Sequence, residues 1–157
     1  MKEIVSALLC LTCCLNTALA EENPLLKEFK TPFGVPPFSK IKNEHYLPAI
    51  KEGIRLHQQE IAAIADNPQP PTFANTIDAL ELGGRVLTRL TNVFDNMTSA
   101  LTSEALQKIA EEASPLRSSH GDDIRLNAKL FQRIKAVYEQ KERSEEHTSE
   151  LQSRVDI

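Results

Sequence analysis

The stretch Asn23–Gly53 reads NPLLKEFKTPFGVPPFSKIKNEHYLPAIKEG, and its reading decides the fold. Pro32, Pro36 and Pro37 fix φ and remove three backbone donors. Thr31–Phe38 is therefore excluded from helix and from any central strand. Phe29, Phe33 and Phe38 give this segment a large apolar area, which stabilises an extended arm only where it lies in a groove. The arm is expected to cover residues 21–46 and to strap onto a larger body. A helix is expected from Leu47, with Pro48 in its first turn, where a missing N–H costs nothing.

Beyond the arm the apolar spacing is helical throughout, and no strand-like alternation appears. Leu47, Ile50, Ile54, Ile61 and Ile64 mark one helix. Asn67-Pro68-Gln69-Pro70-Pro71 ends it as a stiff connector. A second helix begins near Thr72–Thr76. Ile77, Leu80, Leu87, Leu90, Val93, Phe94, Met97 and Leu101 continue its apolar face over about seven turns. Gly83-Gly84 lies inside that run, and each Gly costs about 1 kcal/mol against Ala in a helix interior. Either another helix approaches closely there or the helix bends; the unbroken apolar phase favours close approach. Thr102 or Ser103 can cap a third helix, and Ser114-Pro115 is expected to stop it and start a fourth segment. Asn127 can cap a last helix with Leu130, Phe131, Ile134, Val137 and Tyr138 on one face.

Both ends of the chain read as something other than fold. Residues 1–20 carry Lys2, an apolar run over Ile4–Leu15 too short for a bilayer, and a cleavage site at Ala18-Leu19-Ala20. This is a secretory signal. All 3 cysteines, Cys10, Cys13 and Cys14, lie in it, so the mature chain has no disulfide and no thiol ligand. Export without cysteine points to a bacterial periplasm. At the other end, Arg143–Ser153 reads RSEEHTSELQS, the in-frame translation of a common sequencing adapter. Residues 143–157 are accordingly set apart from the fold, and His147 is not read as a ligand. That leaves Glu21–Glu142 as native mature sequence, with residues 47–142 as its helical part. A net charge of −4 over the whole chain gives no electrostatic case for nucleic acid or an anionic membrane. With 5% aromatic residues and no Trp, the chain is thin in large core side chains for a self-sufficient domain.

Motifs that carry chemistry are absent. There is no His-Glu-x-x-His, no glycine-rich phosphate loop and no nucleophile elbow. No two of His45, His57 and His120 share helical metal-ligand spacing. His57 falls on the Ile50–Ile61 stripe and reads as a partly buried, hydrogen-bonded histidine rather than a ligand or switch. His45 suits a packing or capping role. Glu111-Glu112 and Asp122-Asp123 are neighbours that point to different sides of a helix, so spacing alone makes no dyad of them. Asn96-Met97-Thr98 is a glycosylation sequon only in form. The sequence nominates no catalytic, cofactor-binding or metal-ligating residue.

Three blocks, PFGVPPFSKIKNEHYLPAIKEGI, NPQPPTFANTIDALELGGRVLTRLTNVFDNMTSA and SPLRSSHGDDIRLNAKLFQRIKAVYE, occur in that order. Together they resemble the N-terminal region of bacterial peptidyl-dipeptidases, in the thimet oligopeptidase and oligopeptidase A family of zinc metallopeptidases. The resemblance covers about Asn23–Glu142. It implies an all-α fold, the N-terminal helical part of a larger two-lobed body around a deep channel. It implies short peptides as substrates, with dipeptides released from their C-termini. It also implies a zinc ion held by a His-Glu-x-x-His helix and a downstream glutamate, none of which maps onto this sequence. The chain is thus expected to wall the channel, to bind no zinc itself and to need a missing catalytic domain in cis. It is expected to have no nucleic-acid partner and no membrane association after signal cleavage. The competing expectation is a self-contained periplasmic helical binding or adaptor module; a secreted inhibitor or chaperone is a third.

Overall fold

The computed structural model describes residues 23–140, and they form helices and turns without a strand. The signal segment at 1–20 and the adapter-like tail at 143–157 lie outside the described residues. In chain order, two 3-10 turns at Pro32–Gly34 and Phe38–Lys40 precede α1 (Asn43–Ala65). A π-helical turn, Phe73–Asp78, leads into the short α2 (Ala79–Leu82). Then come α3 (Arg85–Ala100), α4 (Glu104–Arg125) and α5 (128–140). The chain divides into two compact units. One joins the residues up to Leu56 to Arg85–Arg117; the other joins His57–Gly84 to the residues from Ser118 onward.

In the first unit, Ile50 and Ile54 of α1 pack with Leu90, Val93 and Phe94 of α3 and Leu106 of α4. Each such side chain contributes about 1.5–3 kcal/mol on full burial. Tyr46 meets Phe94 with ring centroids 5.2 Å apart at a tilt of 52°. A close helix approach like the one expected at Gly83-Gly84 also occurs here, at Gly53. A Cβ on Gly53 would lie 3.0 Å from Leu90 Cδ1 and 3.2 Å from the Leu87 Cα, so the glycine lets α1 and α3 meet closely, and a larger residue would need α3 to shift by a few tenths of an ångström.

The arm is only partly a strap looking for a partner. Its first half finds a groove within the chain. Leu25 is fully buried in the first-unit core, and Phe29 packs against it. Arg89 of α3 donates from Nη1 to the Lys27 carbonyl and from Nη2 to the Leu25 carbonyl, both at 3.2 Å. Its guanidinium also lies 4.7 Å from the Phe29 ring centroid. The second half stays exposed, with Phe33 at 102% of its reference area and Val35 and Phe38 open as well. The prolines there nucleate 3-10 turns rather than a straight strand, and Phe33 and Gly34 take positive φ values of 59° and 66°.

Three helix boundaries differ from the sequence reading. First, α1 begins at Asn43 rather than Leu47. His45, at the third helical position, accepts the Lys42 backbone N–H on Nδ1 at 3.1 Å, the return half of a capping box. Pro48 therefore sits inside the helix. The Glu44 carbonyl, which loses its helical donor to Pro48, belongs to an exposed residue and can turn to water.

Second, the long second helix is broken at Gly83-Gly84. Gly83 leaves helical geometry at ψ 163° and Gly84 has φ +69°, a conformation that costs glycine nothing and other residues a good deal. Third, α4 runs straight through Ser114-Pro115. Leu106 and Ala113 are buried on one side of the proline and His120 on the other. The helix therefore keeps an inward face in each unit, and that burial outweighs the missing bond to Glu111. The caps of the last two helices fall where the sequence placed them. Ser103 Oγ accepts the Leu106 N–H at 3.3 Å, and Asn127 Oδ1 accepts the Leu130 N–H at 3.0 Å.

In the second unit, Ile61 and Ile64 of α1 pack with Leu130 of α5, flanked by Leu80, Ile124 and Ile134. The inward face of α5 is Leu130, Arg133 and Val137; Phe131 and Tyr138, expected inside, are exposed. A buried arginine displaces them because the connector needs donors. Prolines at 68, 70 and 71 leave carbonyls to be satisfied. Arg133 Nη1 donates to the carbonyls of Asn67 and Gln69 at 2.8 and 3.1 Å, and Nη2 to Asn75 Oδ1 at 3.0 Å.

Candidate functional site

The three histidines among the described residues occupy two kinds of place. His45 is spent on the N-terminus of α1. His57 on α1 and His120 on α4 lie 63 positions apart in sequence, and the second unit brings them together. His57 Nδ1 and His120 Nε2 are 3.0 Å apart, with the rings edge to face and their centroids separated by 4.9 Å. His57 is half-buried and His120 is buried. His120 Nδ1 has no hydrogen-bond partner among the described residues. Burial pushes the His120 imidazole below its ordinary value of 6.5, the neighbouring His57 pushes the same way, and Asp123 opposes them.

The turn between α2 and α3 closes over this pair. A Cβ on Gly84 would fall 2.8 Å from His57 Cε1, 2.9 Å from Nδ1 and 3.0 Å from Nε2, so the ring occupies the space a side chain there would need. The Gly84 N–H donates to Glu60 Oε2 at 2.7 Å, one turn along α1 from His57. Helix position explains the set. His57 and Glu60 are three apart on α1, and both face the turn. Beside the pair is a cavity of about 130 Å³ lined by Gln58, Ile61, Ala62, His120, Asp123 and Ile124, among others. The sequence offered one hint of this arrangement, His57 on the apolar stripe of α1. Its partner was hidden because residues on separate helices share no spacing rule.

The adjacent carboxylates do not converge. Glu111, Glu112, Asp122 and Asp123 are all exposed. Asp122 pairs instead with Arg125 at 3.2 Å within its own helix. The larger cleft, about 490 Å³ in the first unit, is lined by Pro24, Lys27, Glu28, Phe29 and Lys30 of the arm together with Pro37 and Lys40. Thr31 completes its lining, and the lining contains no His, Cys or Asp. Among the described residues, no group of three or more His, Cys, Asp or Glu side chains is placed to hold a metal ion. A peptidase zinc therefore finds no ligand set in these residues, and no chemical step through it is derived from them.

Comparison with known proteins supplies what the side chains do not. The chain is 47% identical over 120 residues to a dipeptidyl carboxypeptidase of Escherichia coli. It is 44% identical over 119 residues to a protein of the same name from Salmonella typhimurium. Each match covers 76% of this chain and 18% of the relative. An oligopeptidase A of Escherichia coli is 32% identical over 98 residues, covering 62% of this chain and 14% of the relative. The chain is homologous to dipeptidyl carboxypeptidase and oligopeptidase A. The all-α fold and this peptidase kinship agree with the resemblance drawn from the three sequence blocks. The chain spans less than a fifth of the length of the dipeptidyl carboxypeptidases it matches. No protein-family model matches it.

Proposed function

We propose that this chain is the N-terminal helical part of an exported zinc peptidase that releases dipeptides from the C-termini of short peptides. In this reading it walls the substrate channel, the zinc and the water-activating glutamate belong to a catalytic part further along the polypeptide, and the chain alone is inactive. The observation that carries the reading is the gradient of identity: 47% to a dipeptidyl carboxypeptidase against 32% to an oligopeptidase A. That difference favours dipeptide release over internal cleavage. Exposed Phe33, Phe73, Leu82, Leu101, Phe131 and Tyr138 lend support, because a larger body would give them cover. The signal-like segment at 1–20 supports a periplasmic site of action.

The test is the genomic DNA beyond the codon for Glu142. The proposal expects an open frame in place of the adapter-like tail, continuing to a His-Glu-x-x-His segment. A stop codon close by would overturn it in favour of a self-contained periplasmic binding or adaptor module.

A further inference from the structure

We propose that His57 and His120 form an acid-labile latch that ties α1 to α4 beside the Gly83-Gly84 turn and opens when the pair takes up a proton. The bond count carries the argument. In a neutral pair one proton lies between His57 Nδ1 and His120 Nε2, which are 3.0 Å apart. His120 Nδ1 is buried and unpartnered. A buried acceptor left bare is tolerated better than a buried N–H without an acceptor. The favoured tautomer therefore has His120 Nε2–H donating to His57 Nδ1, with His57 carrying its other proton on Nε2.

Adding one proton while keeping the bond leaves a single destination. Whichever ring then holds the charge, His120 Nδ1 becomes an N–H with nothing to receive it. A second proton would place two N–H groups face to face and break the bond outright. Either event adds charge to a pair whose His57 ring fills the space beside Gly84, which makes the Gly84 amide a reporter of the latch.

The charged groups around the pair are few. On α1, the Glu60 carboxylate is already engaged by the Gly84 N–H. On α4, Asp123 faces the pair and favours the cation, but less strongly than burial and His57 oppose it. The turn contributes backbone only. The latched form thus binds the proton on His120 less readily than the open form, where that ring returns to its ordinary value of 6.5. The latch is fully engaged above that value and is lost as the pH falls from there to the lower value of the closed form. One proton makes the opening constant rise by about tenfold per pH unit across that window.

The experiment is an NMR titration of the full chain from about pH 8 to about pH 5, following the imidazole nitrogens and the Gly84 amide together. The proposal expects His120 to titrate below 6.5 and the Gly84 amide shift and exchange protection to follow the same curve. It also expects His120→Asn to abolish the acid response of Gly84. Titration of His120 at or above 6.5, or a Gly84 amide unmoved through it, would overturn the latch. So would an acid response that survives in His120→Asn. If His120→Asn does not fold, the titration of the unsubstituted chain decides alone.

Discussion

Gly84 carries two constraints at once. Its φ of +69° is strained for a residue with a side chain, and the space where a Cβ would go is filled by the His57 ring. Gly84→Ala should therefore cost about 2–4 kcal/mol, from the left-handed backbone and the forced ring displacement together. Urea unfolding checks this: a midpoint within error of the unsubstituted chain would contradict the geometry. Gly53 is crowded too, though less tightly, and has no positive φ, so its constraint is packing alone. The sequence marked Gly83-Gly84 as needing a reason and favoured close approach over a bend; both occur, since the helix breaks at the pair and the His57 ring of α1 fills the space beside Gly84. Gly53 drew no attention because a single helical glycine leaves no trace in spacing. Arg133 was legible only by position. It lies three residues after Leu130 and four before Val137, on the inward face of α5, where composition alone would place no charge.

At the scale of elements, the helical pattern was read correctly and its interruptions were not. Proline inside α4 shows why. Local chemistry at Ser114-Pro115 says stop, and burial of Leu106, Ala113 and His120 on the same helix says continue. Tertiary burial wins because the lost bond falls at exposed Glu111, where water can replace it. Pro115→Ala should accordingly stabilise the chain by about 1–2 kcal/mol. The gain from restoring the helix N–H is partly offset by a freer unfolded state. A loss of stability on that substitution would mean that the helix does not run through unbroken. The arm was half legible. Proline and phenylalanine in its sequence announced an irregular apolar strap. Its anchor, Arg89, lies more than 60 residues away and is drawn in by two carbonyls and an aromatic face that no motif records.

For the molecule as a whole, the described residues leave a run of large apolar side chains open: Phe33 and Phe38 on the arm, Phe73 and Leu82 before the glycine turn, Leu101 and Leu126 at helix ends, and Phe131 and Tyr138 on α5. Scattered exposed residues are ordinary, but aromatic area of this amount in a chain with only 5% aromatics is area withheld from its own core. The purified mature segment should bind a dye for exposed apolar surface and associate as its concentration rises. A sharp cooperative melt of a monomer without dye binding would count against that. What the chain belongs to was readable from three ordered blocks of sequence. What it does in chemical terms was not, because among the described residues none supplies a metal cluster.

The most direct measurement of the central claim is an assay of the protein made from the complete reading frame, offered a short peptide blocked at its N-terminus. This account predicts release of C-terminal dipeptides and loss of that release with a zinc chelator. No release, or release that the chelator leaves untouched, would contradict it.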